Sequence, residues 1–202
     1  MVEIEYRNTR VRLGASDLVY EPAEDSFLLA DAALEEAEPG MRILEIGAGS
    51  GFVSAVIRAN VKGIRIFATE INPHAALCAK ANGVEVIRTD LFRGLKPGSK
   101  GTPFDLILFN PPYLPTSEEE KVTGWLNYAF DGGASGRETL DRFLDEVRNY
   151  LKPGGKVLVL ISSITGLEAV KDRMIKMGFE VDVVLRKKVS FEELIVVRGK
   201  IP

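Results

Sequence analysis

Asn110-Pro111-Pro112-Tyr113 carries the densest chemistry in the chain, because it directly follows an apolar run, Phe104 to Phe109, with the character of a buried strand. Consecutive prolines remove two backbone donors and stiffen φ, which leaves nearby carbonyls available as acceptors. An –NH₂ group on an sp² carbon has its lone pair conjugated away and is a weak nucleophile. Two fixed acceptors, the Asn110 side-chain oxygen and the Pro111 carbonyl, would take its two N–H bonds and aim the remaining electron density in one direction. Tyr113 stands where it can stack on a flat group. Such a site works by positioning and electrostatic fit rather than proton abstraction. On this reading Asn110→Ala is the severe change and Asn110→Asp, which keeps an acceptor, the milder one.

A second constellation begins at Glu45-Ile46-Gly47-Ala48-Gly49-Ser50-Gly51, at the end of another apolar strand pattern. The dinucleotide fingerprint would need glycine at position 52, which is Phe52. A G-x-G-x-G turn without the late glycine suits a nucleoside whose ribose and amino-acid tail cross the backbone without a pyrophosphate. Acidic residues recur near strand ends: Glu45, Glu70 and Asp90. Glu70 is placed to accept both ribose hydroxyls. Asp90, followed by Leu91 and Phe92, is placed to accept an adenine amino group between apolar neighbours. Glu45 would face a cationic tail. Singly, each is equally a solvated strand end, and the glycine turn alone equally a tight strand-to-helix connection. Taken together with Gly47, Gly49, Gly51 and Asn72, they predict S-adenosyl-L-methionine as the cofactor and a planar nitrogen as the methyl acceptor.

The elements that must hold these residues alternate along the chain. Residues 22–36 have helical spacing, Arg42 to Ile46 is a buried strand, and Phe52 to Asn60 is a helix. Ile64 to Thr69 is strand two; Asn72-Pro73 opens a helix, with asparagine as cap and proline in the first turn. Val84 to Ile87, Phe104 to Phe109 and Lys156 to Ile161 continue the strand series. Arg137 to Leu151 is an amphipathic helix closed by Lys152-Pro153-Gly154-Gly155, and Leu167 to Met177 is another helix. Glu180–Leu185 and Glu192–Val197 lie too close for a helical crossover and pair as an antiparallel hairpin. The expected fold is one α/β domain over residues 1–202, of the single-domain class I Rossmann-like methyltransferase type. Its mostly parallel seven-stranded sheet would end in an antiparallel hairpin and carry helices on both faces. Residues 1 to about 20 are a short extension. The stretch from Asn110 to Arg137, with Trp125, Tyr128 and Phe130, is long for a connection and is expected to form a substrate-facing lid.

The chain has 202 residues and a formal net charge of −3. That acidity weighs against direct duplex binding, whose affinity comes largely from phosphate neutralisation. Arg186, Lys187 and Lys188 have the pattern of a solvated turn. A single cysteine, Cys78, excludes an internal disulfide, no apolar run approaches membrane-spanning length, and the amino terminus lacks a signal-peptide core. A cytoplasmic protein is expected. His74 and Cys78 sit one helical turn apart without a second pair to complete a metal site, so none is expected.

Tyr20-Glu21-Pro22-Ala23-Glu24-Asp25-Ser26, the segment Ile43 to Gly51, Ile71-Asn72-Pro73, Asn110-Pro111-Pro112-Tyr113 and Gly132-Gly133…Gly136-Arg137-Glu138 occur in order and at matching spacing in one family. The chain resembles the HemK/PrmC release-factor glutamine methyltransferases, in their short archaeal and eukaryotic branch. The resemblance implies cofactor contacts from Ser26, Glu45, Gly47, Glu70, Asp90, Leu91 and Asn110. It implies a substrate: the Gly-Gly-Gln glutamine of a class I translation termination factor; methylation is expected to be stronger when that factor is presented folded with its GTPase partner. It also implies a heterodimer with a small zinc-binding activator subunit. The strand at Val84 to Ile87, expected at a sheet edge and lacking lysine or proline, would receive that subunit by strand addition, and lysines at Val84 and Val86 would weaken it. Two alternatives remain: a nucleic-acid exocyclic-amine (adenine N6 or guanine N2) methyltransferase, and a nicotinamide oxidoreductase, which Phe52 disfavours.

Overall fold

A computed structural model describes residues 2–14, 18–98, 103–116 and 124–202. Seven strands form one sheet in the order β5-β4-β3-β6-β7-β9-β8. They are β3 (Arg42–Ile46), β4 (Arg65–Glu70), β5 (Glu85–Arg88), β6 (Phe104–Phe109), β7 (Leu151–Ser162), β8 (Glu180–Lys188) and β9 (Glu193–Lys200). β5, β4, β3, β6 and β7 run parallel, while β9 runs antiparallel between β7 and β8. The seven-stranded, mostly parallel architecture with its terminal hairpin agrees with the sequence expectation.

Period-two alternation sorts the strand residues onto two faces. Leu44, Ile46, Ile107, Phe109, Val157 and Val159 pack with α4 (Glu138–Val147) and α5 (Leu167–Lys176). Ile43, Leu106, Leu108, Leu158 and Leu160 face the other way, against α1 (Glu24–Glu36) and α2 (Phe52–Asn60). Both faces of the central strands are therefore dry, which is why they read as continuous apolar runs. α3 (Pro73–Ala81) packs its alanines on Ala68, Val84 and Val86. Asn72 caps it as expected, its Oδ1 accepting from His74 N at 2.9 Å.

The sequence reading differs in three places. Val2–Tyr6 (β1) and Thr9–Leu13 (β2) form an antiparallel hairpin where only an extension was expected. Its turn residues Arg7 and Asn8 both have positive φ, as a two-residue turn requires, but without the Asn-Gly signal that advertises one. The hairpin seats Val11 and Leu13 in the α1–α2 core and stacks Tyr6 on Phe27 at 4.9 Å. Second, β7 starts at Leu151 rather than Lys156: the Lys152-Pro153-Gly154-Gly155 break is a bulge, shown by the register shift between Phe104/Leu151 and Leu106/Lys156. Third, Arg186, Lys187 and Lys188, expected as a solvated turn, are the end of β8, held in the ladder by pairing with Ile195, Leu194 and Glu193. The turn therefore begins later and takes in Glu192, which is not part of the last strand.

Candidate active site

The chain runs from β3 outward to β5 and then returns to place β6 on the other side of β3. That reversal splays the connections apart at the carboxyl ends of β3 and β6, where open α/β sheets bind ligands. A cavity of about 840 Å³ lies there, a size suited to a nucleoside with an amino-acid tail. Of the residues expected at the site, Ser26, Glu45, Gly47, Gly49, Glu70, Asn72, Asp90, Leu91, Asn110 and Pro112 line it. Gly51, Pro111 and Tyr113 do not. Gly51 serves packing instead: a Cβ there would come within 2.8 Å of Val84 and 3.0 Å of Ala79 Cα, so glycine lets α2 start against α3.

Glu45, at the end of β3, accepts from the Ser54 backbone N–H at 3.0 Å and from the Ser54 hydroxyl. It is buried, and desolvation pushes its carboxyl up to about 8, opposed by the Ser54 bonds and reinforced by the Glu70 charge. Glu70, at the end of β4, has one oxygen on Gly49 N at 2.7 Å and the other on Asn72 N at 2.8 Å. Burial raises its pKa, while these backbone bonds pull it back. One carboxylate thus locks the glycine turn to the start of α3, and each of its oxygens keeps a further lone pair for a diol. Asp90 pairs with Arg142 at 2.5 Å through Oδ2. Beside it, Leu91 holds φ 45, a costly conformation for a residue with a branched side chain, and turns that side chain into the buried interior.

At the other end stands Asn110. Its amide nitrogen donates to Asp25 Oδ2 at 3.0 Å, and that contact sets which way the amide points. Its Oδ1 is buried and accepts no hydrogen bond among the described residues. Asp25, in the first turn of α1, is itself fixed by the Tyr20 hydroxyl at 3.0 Å and the Ser26 N–H at 2.6 Å. Burial and the Asp25 charge raise the Tyr20 phenol well above its usual value, and the same causes, with Glu192, raise Tyr113. Both phenols therefore stay protonated and are not bases. Asp25 is the functional residue that sequence reasoning missed. It was quoted only as part of a motif, and nothing in 85 residues of separation announces its meeting with Asn110.

The Asn110–Tyr113 loop is held from behind by residues 130–136. Leu114 N donates to Phe130 O, Gly132 N to Leu114 O and Thr116 N to Gly133 O. Gly136, at φ 67, lies so close that a Cβ would come within 2.7 Å of the Tyr113 carbonyl. The expected lid is described only in part, since residues 117–123 lie outside the described residues. The short 3₁₀ turn Trp125–Ala129 contributes Trp125, Asn127, Tyr128 and Ala129 to the cavity lining. The Arg88 guanidinium lies 5.7 Å from the Trp125 ring, and Phe130 meets Tyr20 edge-on at 5.4 Å. This segment therefore spans both ends of the cavity rather than the acceptor end alone.

Residues 25–126 match the family model described as the methyltransferase small domain. A putative protein N5-glutamine methyltransferase of Methanocaldococcus jannaschii is 44% identical over 196 residues, covering 94% of this chain and 95% of the relative. Methyltransferase HEMK2 of Homo sapiens is 37% identical over 196 residues, covering 92% of this chain and 91% of the relative. Among solved structures, the E. cuniculi Mtq2–Trm112 complex responsible for methylation of the eRF1 translation termination factor matches with a TM-score of 0.73 at 24% identity, over 92% of this chain and 99% of that one. At that identity the likeness establishes the fold.

Proposed function

The chain belongs to the methyltransferase small-domain family, among the protein N5-glutamine methyltransferases, and from that premise we propose that it methylates the side-chain amide of a Gly-Gly-Gln glutamine in a class I translation termination factor. The observation that carries this reading is the buried, unpartnered Asn110 Oδ1 at the end of a cavity whose other end is acidic. S-adenosyl-L-methionine, when bound, supplies an electrophilic methyl group on a sulfonium sulfur. The residues present fit it. Glu70 has lone pairs for two ribose hydroxyls, Asp90 keeps Oδ1 for an adenine amine while Arg142 holds Oδ2, and Glu45 offers a carboxylate to an ammonium. Ser26, Gly47, Gly49, Asn72 and Leu91 are the remaining proposed contacts.

Asn110 Oδ1 accepts one N–H of the substrate amide, and the proposed second acceptor is the carbonyl of Pro111, which is not itself a lining residue but stands between two that are, Asn110 and Pro112. Fixing both in-plane N–H bonds orients the amide so that the nitrogen's out-of-plane electron density faces the side from which a methyl group would arrive. With the cofactor bound, its methyl group would pass to that nitrogen as the cofactor's own S–C bond is given up, and the nitrogen's surplus proton would leave to solvent. No base is needed before transfer, because a methylated amide nitrogen carrying positive charge is strongly acidic. Asp25 acts through Asn110, holding the amide so that its oxygen faces the substrate. Tyr113, outside the cavity lining, packs in the α1–α2 core cluster and anchors the loop.

A small zinc-binding activator subunit is proposed as partner, supported by the Trm112 chain in the E. cuniculi complex. For a nucleic-acid substrate the basic residues of β8 would have to be available to phosphates. Arg186 instead pairs with Glu193 at 2.7 Å and Lys187 with Glu24 at 2.8 Å. The deciding experiment incubates the purified chain, with its activator subunit, with a termination factor and labelled cofactor, and reads the Gly-Gly-Gln peptide by mass. A gain of one methyl on that glutamine, abolished by replacing it, is the expected result. Label in DNA or RNA with the factor unmodified overturns the reading.

A further inference from the structure

Glu192 sits in the β8–β9 turn, where Val189 N donates to Glu192 O at 2.9 Å and leaves Ser190-Phe191 as the tip. Two contacts fix the turn at the carboxyl edge of the sheet. Glu193 N donates to Ser163 Oγ at 3.0 Å, and Lys187 meets Glu24 at 2.8 Å, one residue before Asp25. The turn thus belongs to the β6-β7-β9-β8 half, on the side of Asn110 away from Glu45, Glu70 and Asp90. A substrate amide that reaches Asn110 without crossing the cofactor's end of the cavity comes in past this half.

The Glu192 Oε2 atom is buried and has no hydrogen-bond partner among the described residues. Burying a carboxylate oxygen without a donor is costly, and an orphan of this kind calls for an explanation. Its charge acts on the phenols of Tyr20 and Tyr113, the same two that the Asp25 charge raises. One residue before it, Phe191 is 97% exposed, and Ile164, on the turn that Glu193 touches, is 50% exposed. An unsatisfied acceptor is thus bordered by two uncovered apolar side chains at the acceptor end of the site.

We propose that Glu192 is a substrate-recognition residue, its unpartnered carboxylate oxygen accepting main-chain N–H groups of the peptide segment that carries the methyl-accepting glutamine, with Phe191 and Ile164 covering that segment's outer side. The assignment rests on the glutamine-methyltransferase reading. Main-chain donors are the chemistry indicated, because a glycine-rich segment has no side-chain donors and presents its amides unshielded. A carboxylate makes with them the stronger, charge-assisted kind of hydrogen bond. The same group excludes segments whose backbone N–H is missing, such as one with proline beside the glutamine.

The test uses the full chain with its activator subunit and a folded termination-factor domain. Glu192→Ala is expected to raise KM for the protein substrate about tenfold or more, the scale of one charge-assisted hydrogen bond. Its kcat and cofactor Kd should stay within about twofold. Its Tm should be unchanged or higher, because an orphan is removed. Glu192→Gln keeps an acceptor and should lie between the two, and Phe191→Ala should raise KM without moving Tm. Replacing the two glycines before the glutamine by N-methylglycine, in a ligated substrate, should cost the wild type a similar factor and cost Glu192→Ala nothing further. An active wild type with an insensitive Glu192→Ala, or losses that simply multiply, overturns the assignment alone. A wild type that transfers no methyl to this protein removes the functional reading and the assignment with it.

Discussion

Asn110 shows how one hydrogen bond decides what a substitution means. With its amide nitrogen given to Asp25, a carboxylate at position 110 would face another carboxylate across 3.0 Å. Asn110→Asp is therefore expected to be as damaging as Asn110→Ala, reversing the ranking that an acceptor argument on the sequence alone suggests. Both should cut kcat by about a hundredfold or more, the scale for one preorganised polar contact, with cofactor affinity kept. Asp25→Asn leaves the chain foldable but lets the Asn110 amide turn over, and a fall in kcat with unchanged KM would mark it as a positioning residue. Glu45 gives a second test, in pH. Its folded value of about 8 lies above the ordinary 4.5, so the folded chain holds that proton more tightly than the unfolded one. The resulting stability is complete below about pH 4.5 and is lost as pH rises through about 8. Without cofactor, Tm should fall across that window, and Glu45→Gln should flatten the fall. A cationic ammonium beside Glu45 favours its ionised form. Cofactor binding near neutral pH should therefore release a proton, visible as a buffer-dependent heat in calorimetry. A Tm slope identical in Glu45→Gln would remove this carboxylate from the account.

Elements were legible in the sequence where a period was long and undisturbed, and illegible where contacts at a distance made them. Phe104–Phe109 and Phe52–Asn60 coincide with their sequence-read limits, because apolar runs with glycine or proline at the ends leave little choice. The β1–β2 hairpin escaped because its exposed side is charged and its turn is Arg7-Asn8. It becomes structure only when Tyr6 meets Phe27 and the Asn82 side chain pairs with both the N–H and C=O of Arg12, at 3.0 Å each. The glycines at 132, 133 and 136 were visible as a motif, but their reason was not. Gly136 lies against the Tyr113 carbonyl, Gly132 against the Gly136 backbone and Gly133 against the Glu138 side chain, close approaches that only the folded chain shows. Gly136→Ala should accordingly displace the Asn110–Tyr113 loop. A Cβ would press on the Tyr113 carbonyl, and alanine at φ 67 costs about 1 kcal/mol besides. The expected outcome is a kcat lowered about tenfold to a hundredfold with a modest drop in Tm, since a displacement on the order of 1 Å near the chemistry is expensive. A variant with normal kcat and a much lower Tm would show that the glycine serves folding alone.

At the scale of the whole molecule, the sheet has two free edges, and they are defended differently. β8 carries Asp182, Arg186, Lys187 and Lys188 and is bent by a register shift between Val183 and Leu185, the devices that discourage edge pairing. β5 is short and has neither lysine nor proline; its own Ile87 is 52% exposed, and Leu77, on α3, is 66% exposed. Exposed apolar side chains on and near a strand with one free edge are the pattern of a surface suited to strand addition. β5 is therefore the edge we propose for the activator subunit, and the burial around it changes the experiment. Val84 and Val86, where the sequence pattern suggested lysines, are 4% and 6% exposed and pack with Ala68, Ala76 and Ala79. Lysines there would break the core and report nothing about a partner. Ile87→Lys and Leu77→Lys change only the exposed side. Each is expected to weaken the heterodimer about tenfold to a hundredfold, the range for truncating a central apolar anchor, while leaving the Tm of the isolated chain within a few degrees. The β5 edge also leads straight to the site, through Arg88 on Trp125 and then Asp90. Loss of the subunit should therefore also weaken cofactor binding, and a fully active, cofactor-competent Ile87→Lys chain that still co-elutes with the subunit would place the partner elsewhere.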